Sequence, residues 1–174
     1  MDISVAILPF RDVDRTLLQR LVQDLARLGV RAELLPAADL PPGAYNRSRG
    51  QYRAEALLGA AAHAPGAERV LGVTEADLYI ESLNFVFGIA ESPGRAALIS
   101  AARLRAADEA LYRSRVLKEA MHELGHTLGL GHCDDARCVM HFSNTLADTD
   151  RKGSRLCSSC RARLTRDRRA GRGS

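Results

Sequence analysis

The segment from His122 to His132, HELGHTLGLGH, constrains this 174-residue chain more than any other feature. On an α-helix, which turns about 100° per residue, positions 122 and 126 lie about 40° apart and one turn above each other. Two imidazoles so placed can bind one metal ion. The other side of the same helix carries Val116, Leu117, Ala120, Leu124 and Leu128, an apolar stripe that would seat it on a core. Glu123 projects beside the two histidines. There a carboxylate can take a proton from metal-activated water without ligating the ion. Gly129 accepts the positive φ at which a helix ends. Three residues later, His132 can swing in as a third ligand. Three protein nitrogens leave a fourth position for water, the pattern of a catalytic zinc site.

The cysteines cluster just beyond. All four lie between 133 and 160, and four of the five histidines lie between 122 and 141. Cys133 and Cys138 form one close pair and Cys157 and Cys160 another, with 18 residues between the pairs. Two thiol pairs brought together make a four-thiolate tetrahedral zinc site. With every position filled it cannot activate water, so its role is structural. The surrounding segment has few apolar residues, and metal-binding energy would supply part of its folding energy. Two disulfides are the competing reading of the same spacing.

The rest of the chain reads as alternating strands and helices. Ile3–Leu8 is an apolar run closed by Pro9, and Asp14 is placed to cap a helix with Leu17, Leu18, Leu21, Val22, Leu25 and Leu28 at helical spacing. Gly29 ends that helix, and Arg31–Leu35 reads as a second strand, parallel to the first. A helix is expected over 49–63 and strands over 70–73, 84–90 and 97–101, the third strand continuing loosely towards Ile80. A long helix is expected over 108–128, with Glu119 on its surface. After Gly129 periodicity fades and an irregular segment is expected.

At the histidine and cysteine motifs the chain resembles the metzincin clan of metallopeptidases, and within it the archaemetzincins. The elongated zinc motif is followed directly by Cys133, then Cys138–Val139–Met140, then Cys157 to Cys160. The resemblance covers about 40 of the 174 residues, and its one departure is a gap from Met140 to Cys157 a residue shorter than is usual in the family. It implies an α/β (α+β) fold, with a twisted mixed sheet and helices in an N-terminal subdomain, 1–129, and a small irregular zinc-stabilised C-terminal subdomain, 130–174. It implies two zinc ions, a peptide or protein substrate paired with an edge strand (Asn84–Ala90), and a Met-turn in which Met140 is a floor beneath the catalytic zinc. From the residues alone Met140 reads as core packing. His141 reads as a loop or supporting residue, since three histidines already precede it.

Charge qualifies this picture. The net +4 divides into +8 over residues 151–174, with nine Lys/Arg against Asp167, and −4 over the rest. A basic tail can serve an acidic partner or nucleic acid, but no aromatic residue is interleaved for base stacking, which favours a solvated helix end followed by a frayed terminus. The chain opens without the basic start and cleavage site of a signal peptide and has no membrane-length apolar run, so cytoplasmic residence is expected. No feature specifies an oligomeric state. The expected function is a zinc metallopeptidase with Glu123 as general base. One alternative is a zinc-stabilised binding module that works through its basic tail without catalysis. Another is a zinc hydrolase of non-peptide amides or esters.

Overall fold

The computed structural model describes residues 3–11 and 13–170, with side chains to 166. The end of the basic tail, 171–174 with Arg172, lies outside the described residues. Strand β1 (Ile3–Pro9) is the opening apolar run. Successive side chains of a strand point to opposite faces. Val5 and Ile7 accordingly enter one core, while Ala6 and Leu8 enter another.

The first core is shared with α1 (Arg15–Arg27) and α3 (Glu109–Thr127). Asp14 caps α1, its carboxylate accepting from the Thr16 N–H at 2.7 Å and the Leu17 N–H at 3.1 Å. Leu17, Leu18, Leu21 and Leu25 are buried as their spacing predicts, and Gly29 takes φ +79° where the chain leaves the helix. The second core lies on the opposite face under α2 (Ala54–His63). Between the helices runs a five-stranded sheet, ordered β2-β1-β5-β9-β8. Here β2 is Val30–Leu34, β5 is Arg69–Thr74, β8 is Gly88–Ala90 and β9 is Ala96–Ser100. All neighbours in it are parallel except β8, which runs antiparallel to β9 at one edge. The sheet is mixed, as expected.

Three expectations need correction. The helix expected from position 49 begins at Ala54, because Gly50 sits at φ +66° and breaks the chain out of helical geometry. Residues ahead of it instead form β3 (Tyr45–Asn46) and β4 (Gln51–Arg53). These join β6 (Leu78–Ile80) and β7 (Leu83–Val86) in a second sheet, ordered β3-β4-β6-β7. The strand expected over 84–90 is likewise two strands: β7 belongs to the small sheet and β8 to the large one. The chain changes sheets at Phe87, whose carbonyl accepts from the Ser100 N–H at 2.8 Å. The segment after Gly129, expected to be irregular, contains α4 (Leu146–Arg151) and α5 (Ser158–Ala170). Among the described residues no helix is long and apolar enough to cross a membrane.

Candidate active site

Helix α3 carries the site. Asp108 caps its start, accepting from the Ala110 N–H at 2.8 Å. At its end Gly129 adopts φ +83° and its N–H donates to the His126 carbonyl at 2.8 Å, while the Leu130 N–H donates to the Gly125 carbonyl at 3.1 Å. These bonds satisfy the last carbonyls of the helix and reverse the chain. The reversal brings His132 back to the other two histidines. The ring centroids of His132 lie 5.4 Å from His122 and 5.0 Å from His126, and one ligand nitrogen of each of the three falls within 4.8 Å of the others.

The hydrogen bonds of the first two rings fix what they offer. His122 Nδ1 lies 2.8 Å from the Val139 carbonyl, and His126 Nδ1 lies 2.8 Å from the Leu130 carbonyl. A carbonyl only accepts, so both Nδ1 atoms carry the proton and both Nε2 atoms present lone pairs in the neutral ring. Those two Nε2 atoms stand 3.1 Å apart. Burial disfavours the imidazolium, pushing His122 down to about 3 and lowering His126 and His132 as well. Two lone pairs facing each other at 3.1 Å repel unless a cation lies between them. The donor set therefore fits a zinc ion, with Nδ1–H bonds to carbonyls orienting the ligands from behind.

Glu123 is buried beside this cluster and is not one of the three converging groups. Burial, followed by the negative charge of Glu119, pushes its carboxyl well above the ordinary carboxylate range, while the Lys152 cation opposes that shift. Both carboxylates line a cleft of about 230 Å³ together with Phe85, Gly88, His122 and Phe142. The Phe142 ring, 46% exposed, leans on His132 with centroids 4.7 Å apart.

The four cysteine sulfurs also gather within 4.8 Å of one another. The Cys133–Cys157 and Cys138–Cys160 separations are both 3.8 Å, and no disulfide joins them. Such spacing suits thiolates around one ion, not S–S bonds of about 2.05 Å. The Cys160 N–H lowers the Cys157 thiol to about 7, whereas burial raises Cys138 and Cys160. The tripeptide Cys138–Val139–Met140 links the two clusters. Cys138 faces the sulfurs, the Val139 carbonyl holds His122, and fully buried Met140 packs against Gly125. A Cβ on Gly125 would overlap Met140 Sδ and come within 3.0 Å of its Cε. Gly125→Ala is therefore expected to cost about 1–3 kcal/mol by overpacking, read as a lower denaturant midpoint at unchanged m-value. His141 stays outside both clusters, its Nδ1 2.9 Å from the Cys133 carbonyl.

Glu119 is not a surface residue, as its sequence position suggested; it is 3% exposed. Its Oε1 accepts from Thr149 Oγ1 at 3.2 Å and pairs with Lys152 Nζ at 3.0 Å. Lys118 Nζ donates to the Thr149 and Asp150 carbonyls at 3.1 and 3.0 Å, and Arg115 grips the Asp150 carboxylate through two bonds of 2.6 and 2.7 Å. These contacts fasten α4 to the active-site helix. One sequence signal pointed to them: the chain has only two lysines among 25 basic residues, Lys118 and Lys152, and both are buried here. Lys152→Met would strand the Glu119 carboxylate and is expected to cost about 3–5 kcal/mol. The double variant Lys152→Met with Glu119→Leu should recover most of that loss in urea unfolding.

A mixed sheet laid on a helix that ends at three convergent imidazoles is the arrangement that the metzincin resemblance implied, and it marks the class as metallopeptidase. The model of peptidase family M54 matches residues 19–166. The archaemetzincin of Methanopyrus kandleri is 52% identical over 135 residues, 77% of each chain. That of Methanocaldococcus jannaschii is 44% identical over 171 residues, 94% of each. The crystal structure of the Methanopyrus kandleri archaemetzincin superposes with a TM-score of 0.88 at 43% identity, covering 96% of both chains. This chain belongs to peptidase family M54, the archaemetzincins, and is a zinc metallopeptidase.

Proposed function

We propose that the chain hydrolyses peptide bonds at a zinc ion held by His122, His126 and His132, with Glu123 as the general base. A zinc ion in such a site supplies Lewis acidity and a water acidified to a pKa of about 7. Glu123 takes the proton from the attacking water and delivers it to the departing amine nitrogen. The backbone carbonyls of Val139 and Leu130 hold the His122 and His126 rings in the ligating tautomer. An extended peptide lies along the segment of β7 and β8 that borders the cleft, held by main-chain hydrogen bonds. Exposed Leu83 and Phe142 at the cleft mouth favour apolar side chains next to the cut bond.

The observation that carries this reading is the pair of Nε2 lone pairs 3.1 Å apart, each backed by a carbonyl, with a buried carboxylate beside them. A second zinc ion, held by Cys133, Cys138, Cys157 and Cys160, is proposed to support the C-terminal subdomain (130–174) against the N-terminal one (1–129).

Metal analysis of the purified protein should return two zinc ions per chain. Digestion of a mixed peptide library should yield new amino termini that vanish with chelator and return with added zinc. No cleavage in the zinc-loaded protein would favour the binding module; cleavage that ignores the chelator would refute the zinc mechanism.

A further inference from the structure

We infer that Gly88 is a positioning residue for the Glu123 carboxylate, an inference that rests on the reading of Glu123 as the proton carrier. Gly88 opens strand β8 opposite Ile99 of β9. A Cβ there would lie 2.7 Å from Glu123 Cγ, 2.7 Å from Glu123 Oε1 and 2.6 Å from the Leu98 carbonyl oxygen, all below the 3.0 Å that real Cβ atoms respect. Backbone conformation is not what calls for glycine. Among the described residues the positive-φ glycines are 29, 43, 50, 66 and 129, and Gly88 is not one of them. Space is what calls for it. Two of the three collisions are with one side chain, the buried carboxylate at the cleft wall.

The direction of yielding follows from the ladder. The Leu98 carbonyl belongs to the sheet, and Ile89 is registered against Leu98 in the β8–β9 pair. Withdrawing the strand would break that pairing at its first residues. The Glu123 side chain has rotatable bonds and gives way first, relieving two of the three overlaps; the third, with the Leu98 carbonyl oxygen, needs a small local shift of the backbone at Gly88 that keeps the pairing. A base that must lie within about 2.6–3.2 Å of the proton it takes tolerates little displacement, and a misplacement of about 1 Å costs on the order of 10²-fold in rate. Gly88 thus provides a slot in the strand bordering the cleft, and the base lies in it against bare backbone.

The test uses the full, zinc-loaded chain. Gly88→Ala is expected to keep both zinc ions and to lower kcat by about 10²-fold; because Gly88 also lies in the strand proposed to hold the peptide, KM is expected to rise too, by less than kcat falls. A wild-type kcat in Gly88→Ala would overturn the proposal. A thermal-unfolding cycle with Glu123→Ala separates packing against the base from general damage to the strand. If the collision is with Glu123, Gly88→Ala should lower Tm more when Glu123 is present than when position 123 is alanine. Equal losses in the two backgrounds would make Gly88 an ordinary strand glycine set against Leu98, and would overturn the inference. Should Gly88→Ala alone fail to fold, a folded double variant supports the inference and an unfolded one defeats it. Full activity in Glu123→Gln would refute the base assignment instead, whatever the Tm cycle gave.

Discussion

Glu123→Gln is expected to abolish peptide cleavage almost completely while leaving the protein folded and loaded with metal. Glutamine matches glutamate in shape, so it fits the slot between Gly88 and the cleft wall without the overlap that a larger group would create. What it loses is the ability to accept a proton from water and release it to nitrogen. General acid–base transfer contributes typically about 10²–10⁴-fold. Here one group serves both halves of the reaction, so the loss in kcat should lie toward the upper end, about 10³–10⁴-fold. KM should change little, since the cleft walls and the strand edge remain as they were. Zinc content should also hold, because Glu123 is not among the nitrogens that converge on the histidine centre. Loss of metal together with activity would give Glu123 a structural role in the site, and retained cleavage would require another base. Among the described residues the only other carboxylate lining that cleft is Glu119, already engaged by Thr149 and Lys152.

The site was legible in the sequence because its geometry is local. His122 and His126 meet through helix periodicity, and Gly129 fixes the turn that returns His132, so eleven consecutive residues determine the ligand set proposed here. Helix α1 was legible for the same reason, its leucines and the Asp14 cap all lying within a few turns. What the sequence concealed was non-local. The small sheet depends on Tyr52 finding Leu78 and on Val86 finding the same residue from the other side. Tyr52 and Leu78 lie far apart in the sequence, and although Leu78 and Val86 pair within a short hairpin, the change of sheet at Phe87 leaves no local mark, so 84–90 read as one strand. Glu119 is the sharpest case. A glutamate on a helix reads as solvent-facing by default, and only Thr149 and Lys152, brought over by the fold of the C-terminal segment, turn it into a buried residue of the cleft wall. The two lysines are concealed in the same way: both lie at the α3–α4 junction, which only the fold assembles.

Cys157→Ser should disable catalysis from outside the catalytic cluster. The residues between the two clusters form a short rigid bridge. The Cys133 N–H donates to the Met140 carbonyl at 3.0 Å, the Val139 N–H donates to the Arg155 carbonyl at 3.0 Å, and the Val139 carbonyl orients His122. Cys138, Val139 and Met140 are buried in the core they share with α3, but among the described residues beyond Met140 only Leu156, Cys160 and Leu164 add buried apolar side chains to it. A structural zinc ion is worth about 10–16 kcal/mol of apparent binding energy in small metal-folded domains, so the loss of one thiolate removes more stability here than any single packing change. The expected protein binds one zinc ion, not two, and exposes 130–170 to limited proteolysis. It should also lose most of its peptide cleavage, because His132 and the Val139 carbonyl are no longer held in register with α3. A comparison separates this from global unfolding: α2 and the sheet face beneath it form a core that contains none of residues 130–170 and should retain slow amide exchange. If Cys157→Ser kept both the catalytic zinc and full turnover, the bridge would be a passive linker, and the four sulfurs would serve the C-terminal segment alone.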